Sequence, residues 1–82
     1  MSKLPILSGE KLCKVLGKIG YEIDHQTGSH IIVRHIKPPH RRITIPNHKV
    51  IAKGTLRKII KESGLSLEEF KKVIKVTEAI VL

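Results

Sequence analysis

The middle third of this chain is cut into lengths that suit strands and nothing longer. Thr27-Gly28, Lys37-Pro38-Pro39-His40 and Pro46 interrupt the run from Tyr21 to Pro46. Proline donates no ladder hydrogen bond and glycine turns readily at positive φ, so each acts as a stop. Between the stops, Tyr21-Glu22-Ile23-Asp24-His25-Gln26 alternates apolar and polar, Ser29 to Ile36 holds the apolar run Ile31-Ile32-Val33, and Arg41-Arg42-Ile43-Thr44-Ile45 alternates again. Three consecutive strands with short connections make an antiparallel meander. In the first strand Tyr21, Ile23 and His25 are expected on one side and Glu22, Asp24 and Gln26 on the other.

Helical periods flank the meander. Ser8 is a plausible N-cap, and Leu12, Val15, Leu16 and Ile19 recur on one helical face, predicting a helix over about 9–19 that Gly20 ends. Asn47 to Ala52 lead into a second helix, roughly 53–63, with Leu56, Ile59 and Ile60 on its apolar face and Gly64 at its end. Ser66-Leu67-Glu68-Glu69 matches the capping box and starts a third helix, with Leu67, Phe70, Val73 and Ile74 facing inward. The expected fold is α+β, α-β-β-β-α(-α): a three-stranded antiparallel sheet with helices on one face and the other face open. A chain of 82 residues is read as one domain, 1–82, with its core over about 8–75 and an apolar tail at 76–82. That tail could extend the last helix, add a strand or contact a partner. Domains of this size bury roughly 60–65% of the surface of the unfolded chain, so any active site lies on the surface of one small core.

Sixteen Lys and Arg against seven Asp and Glu give a net charge of +9, which points to a polyanionic partner. Tyr21 and Phe70 are the only aromatics besides histidine, too few for a base-stacking platform. No stretch approaches the ~20 apolar residues that span a membrane. Cys13 is the single cysteine, so no intrachain disulfide forms, and it reads as a small buried hydrophobe. Met1 to Pro5 has no apolar leader core, and a cytoplasmic location fits.

The third strand orients the sheet. If Ile43 and Ile45 face the helices, Arg42 and Thr44 lie on the open face. If the second strand buries Ile31 and Val33, then His30, Ile32 and Arg34 share that open face, with His30 and Arg34 about 13 Å apart along the strand. The opposite phase would bury His30. In the favoured phase His30 stands just past the Gly28 turn at the rim of the sheet, where a rigid strand can hold an imidazole that still reaches solvent. Lys53-Gly54-Thr55 at a helix start suits phosphate binding, although plain capping with Gly54 packed on the sheet fits the same residues.

Gly28-Ser29-His30, then Pro46-x-His48, then Gly54-Thr55-Leu56 with Ile59-Ile60, Gly64-Leu65-Ser66 and Glu69-Phe70, together resemble the HicA toxin family over about residues 8–72. The resemblance implies a double-stranded-RNA-binding-domain-like fold and a metal-independent mRNA interferase, the toxin of a type II toxin–antitoxin system. It implies a HicB-type antitoxin that covers the active site, a free monomer that becomes a hetero-oligomer with that antitoxin, and no cofactor. The family's catalytic histidine is that of the Gly-Ser-His motif, here His30. Ile31 stands where relatives often carry a polar residue, and the tail beyond Lys75 lies outside the shared part.

On this reading the RNA supplies its own nucleophile, the 2′-OH. The protein must supply a base, positive charge on the phosphate and an acid for the leaving 5′ oxygen. His30 is the expected base, and Gly28, Ser29, Arg34, Arg42, His48 and Lys53 are the expected RNA contacts. His48 could serve as the acid if the loop after Pro46 folds back toward His30; otherwise it caps the following helix or binds phosphate. His25, His35 and His40 read as strand and loop residues, and none of the five histidines has the i, i+4 helical spacing, nor an evident acidic third ligand, that a zinc site would use. Two other readings stay open: a non-catalytic double-stranded-RNA-binding module, which needs no histidine base, and a DNA-binding or protein-interaction subunit whose charge serves an acidic partner.

Overall fold

Local signals set the ends of the elements in the computed structural model, which describes residues 4–80, with side chains through Thr77. The order is α1 (Gly9–Gly17), β1 (Tyr21–Thr27), β2 (His30–His35), β3 (Arg42–Pro46), α2 (Lys53–Ser63) and α3 (Leu67–Ile80). Ser8 caps α1, its hydroxyl accepting the Lys11 N–H at 3.1 Å. The capping box of α3 closes reciprocally: Ser66 N–H donates to the Glu69 carboxylate at 2.9 Å, and Glu69 N–H donates to the Ser66 hydroxyl at 3.1 Å. Those bonds hold the Glu69 carboxyl below its ordinary range. Their contribution to stability is therefore present above that range and is lost as pH falls through the depressed value. Gly64 ends α2 at φ 83°, and α2 occupies the predicted residues.

Two boundaries differ from the sequence reading. α1 ends at Gly17 rather than near Ile19, because residues 18–20 tighten into bonds three residues apart, such as Ile19 N–H to Leu16 O at 3.0 Å. Ile19 still packs against the core from that turn. The chain from Val76 onward continues α3 to Ile80, and Val81 and Leu82 lie outside the described residues.

The sheet has the order β1-β2-β3, antiparallel throughout. Ile31 faces Ile45 and Val33 faces Ile43 across β2 and β3, and all four are buried. With Leu12, Val15, Leu16, Leu56, Ile59, Ile60, Phe70 and others they form one apolar cluster between the sheet and the helices. The opposite sheet face is open, as expected. Phe70 is fully buried, which makes α3 part of the core.

Strand β1 corrects the predicted alternation. Ile23 pairs with Val33, but the next pair is His25 with Ile32, so Asp24 is an extra residue in a β-bulge. The bulge reverses the phase: His25 joins the open face and Gln26, opposite Ile31, turns toward α1. Tyr21 stays buried while Ile23 is 60% exposed at the edge.

The segment after β3 is tied to the start of α1. Gly9 N–H donates to His48 O at 2.9 Å, Ile51 N–H to Leu7 O at 2.8 Å, and Asn47 N–H to Ser29 O at 2.7 Å. The approach is so close that a Cβ on Gly9 would collide with the Pro46 carbonyl oxygen. Gly54, by contrast, has open space where a Cβ would stand, so it is not packed on the sheet. Gly9→Ala should lower unfolding stability by about 1–3 kcal/mol through the backbone shift it forces. Gly54→Ala should raise stability by about 0.5–1 kcal/mol through helix propensity. Urea midpoints moving in opposite directions would bear this out, and a stabilised Gly9→Ala would refute it. Phe70→Ala should cost about 3–5 kcal/mol by the same measurement, a large share of what a small domain has.

Candidate active site

Because β2 buries Ile31 and Val33, His30 is exposed on the open face, in the phase the sequence favoured. Gly28, at φ 41°, makes the hairpin turn just before it. Ser29 Oγ lies 3.3 Å from His30 Nδ1, which leaves Nε2 without a protein partner among the described residues. Across the sheet His30 pairs with Thr27 on one side and Pro46 on the other.

A cleft of about 480 Å³ opens where the open face meets α2. His30, Arg42, Thr44, Pro46 and His48 line it from the sheet side, and Thr55, Lys58, Ile59 and Glu62 from α2. Helix α2 packs against β3, with Thr55 in its first turn and Glu62 in its last. Burial pushes the Tyr21 hydroxyl up, while Arg41 lowers it and Glu62 raises it. Strand rise makes the cleft about 13 Å long from Arg42 to Pro46.

Arg42 and Arg34 face each other across β3 and β2, and Glu22 pairs with Arg34 from β1. Like charges directly opposite are unfavourable. Arg34 Nε is moreover buried with no hydrogen-bond partner among the described residues. Such an arrangement costs the folded protein stability and suits a surface that receives an anion. The bulge adds one counter-charge: Asp24 Oδ2 lies 2.9 Å from His25 Nδ1 and 3.4 Å from Arg42 Nε. His25 first, and Arg42 after it, hold the Asp24 carboxyl below its usual range.

Of the residues the sequence singles out, the structure brings His30, Arg42 and His48 into one cleft. Arg34 lies beside Arg42 on the open face but outside the lining, Gly28 and Ser29 form the turn at its rim, and Lys53 is exposed at the first residue of α2, also outside the lining. His48 does not cap α2. The N-cap there is Ala52, with no side-chain bond, while the His48 carbonyl serves α1. Thr55, Lys58 and Glu62 were missed. Their signal is present in the sequence, because i, i+3 and i+7 put them on one helical stripe beside the buried Leu56, Ile59 and Ile60.

The other titratable groups serve structure. His35 Nε2 lies 2.9 Å from Ile19 O and its Nδ1 accepts Lys37 N–H at 3.0 Å, with the ring edge-on to Tyr21 at 4.8 Å. His40 Nδ1 bonds His35 O at 3.1 Å. Cys13 is half-buried in a separate groove between α1 and β1, and burial, with Glu10, pushes its thiol up to about 11, so it is no thiolate near neutrality. Among the described residues no group of three or more His, Cys, Asp or Glu is placed to hold a metal ion, and no helix is long and apolar enough to cross a membrane.

No curated protein matches the sequence. A family model does, described as "HicA toxin of bacterial toxin-antitoxin", over residues 9–65. That match takes in α1, the whole sheet and α2, and with them every residue that lines the cleft. Covering more than half of the sequence, it establishes that the chain belongs to the HicA toxin family.

Proposed function

We propose that this chain is the toxin of a type II toxin–antitoxin pair and cleaves mRNA as a metal-independent endoribonuclease, with His30 as general base. The observation that carries the proposal is the cleft itself: an exposed histidine on a rigid strand beside two cations, Arg42 and Lys58, on a chain of net charge +9. In the tautomer whose Nδ1–H donates to Ser29 Oγ, the His30 Nε2 lone pair is free to take the 2′-OH proton. The activated 2′ oxygen attacks the adjacent phosphorus. Arg42 and Lys58 hold the phosphate oxygens as negative charge builds on them, and Arg34 contributes to the field of the same face. The partner that silences the activity is a HicB-type antitoxin that covers the cleft, and the two form a hetero-oligomer in the cytoplasm.

One base of this kind contributes ~10²–10⁴-fold in rate, enough for a slow nuclease that is nonetheless toxic. Induced expression of the wild type should arrest growth and deplete intact mRNA, and His30→Ala should do neither. If His30→Ala is equally toxic, the toxicity has another source. If both are harmless with RNA still bound, a non-catalytic RNA-binding module is the better reading.

Arg42→Ala, made in the His30→Ala background to prevent cleavage, should weaken RNA binding about tenfold. It should also reduce the slope of log affinity against log salt by about 1. Unchanged affinity in a fluorescence-anisotropy titration would remove Arg42 from the RNA surface.

A further inference from the structure

The geometry points to His48 as the group that protonates the leaving 5′ oxygen, so that cleavage uses two histidines from opposite sides of one phosphate. The inference rests on the RNA-cleavage reading above and assigns its missing acid. His48 lines the cleft that holds His30, two residues beyond Pro46, which is His30's cross-strand partner. Its main chain is fixed from both sides: Asn47 N–H is bound to Ser29 O, the His48 carbonyl accepts Gly9 N–H, and Ile51 N–H is bound to Leu7 O. A side chain carried on so constrained a loop can be held near the reacting atoms, as a proton donor must be.

The free ring is the second argument. His25, His35 and His40 each have a ring nitrogen engaged with the protein, and His30 has Nδ1 beside Ser29 Oγ. Neither ring nitrogen of His48 has a hydrogen-bond partner among the described residues, although the residue lines the cleft. The remaining donors of the cleft suit the role less. An ammonium such as that of Lys58 is ordinarily a far weaker acid than an imidazolium, and the Thr55 hydroxyl is weaker still, so both fit charge stabilisation better.

The step balances without a further reactant. The 2′-OH proton passes to His30 as the O2′–P bond forms. The P–O5′ bond breaks, its electron pair stays on O5′, and O5′ takes the proton from protonated His48. The products are a 2′,3′-cyclic phosphate and a free 5′-OH. One proton has moved from His48 to His30, and exchange with solvent restores both.

The test uses a short RNA containing one linkage that the wild type cuts, in two versions: the ordinary one, and one in which the bridging 5′ oxygen is replaced by sulfur. A thiolate departs without being protonated, so the sulfur substrate needs no acid. His48→Ala should cut the ordinary RNA at least ~10²-fold more slowly than wild type, yet cut the sulfur RNA within about tenfold of wild type. His30→Ala should be slow on both. Rescue by sulfur also shows that the His48 variant is folded, and His48→Gln, which keeps a polar side chain, should behave as the alanine does. Equal impairment of both His48 variants on the two substrates would overturn the assignment, as would full activity on the ordinary one. A wild type that cuts no linkage in any RNA offered when that substrate is chosen would overturn the cleavage reading itself, a result distinct from either.

Discussion

The contact between the start of α1 and the segment that leaves β3 fixes more of this molecule than its size suggests. Bonds at Gly9, Ile51 and Asn47 join three stretches that are distant in sequence: the lead-in to α1, the β1–β2 hairpin and the loop before α2. Each bond is worth only about 1 kcal/mol net. Their joint effect is positional, because they fix the loop that carries His48 where it lines the same cleft as His30. The contact exists only because position 9 has no side chain. A helix start would ordinarily favour a residue with better propensity, so the glycine gives up some helix stability for the close approach.

The same economy shows in the charges. The buried positions of β2 and β3 are aliphatic, Ile31, Val33, Ile43 and Ile45, whereas the open face sets Arg34 against Arg42 and leaves the Arg34 Nε without a hydrogen-bond partner among the described residues. Nothing in the fold requires that choice, since Thr44 on the same face shows that a neutral residue is accommodated. Asp24 offsets part of the repulsion by engaging Arg42 from two strands away. Four of the five histidines divide by environment as well. His35 and His40 lock the β2–β3 connection through carbonyls and a backbone N–H, while His30 and His48 stand in the cleft.

Much of this was legible in the sequence because the informative residues act locally. Ser8, Gly64 and the Ser66–Glu69 box impose their ends whatever packs around them, and the Ile43/Ile45 alternation set the face of β3, and through pairing that of β2. The bulge at Asp24 was not legible, because Tyr21 to Gln26 alternates as cleanly as an unbroken strand and only the ladder with β2 reveals the extra residue. The α2 side of the cleft was missed for a related reason. Lys58 and Glu62 look like any solvated pair on a helix until β3 is set beside them. Gly9 was read as an ordinary first residue of a helix, since its role depends on a carbonyl thirty-seven positions away in the chain, that of Pro46.

The bulge has an effect on how copies of this protein meet one another. Among the described residues β1 pairs with β2 alone, so its outer side is a sheet edge, and an unpaired edge is a template on which a second chain can build. An extra residue at Asp24 breaks the even spacing of donors and acceptors along that edge and coils the strand locally. A flat neighbour finds matching partners over only half its length. The residue that makes this edge a poorer template for a second strand is the same one that restrains Arg42 two strands away.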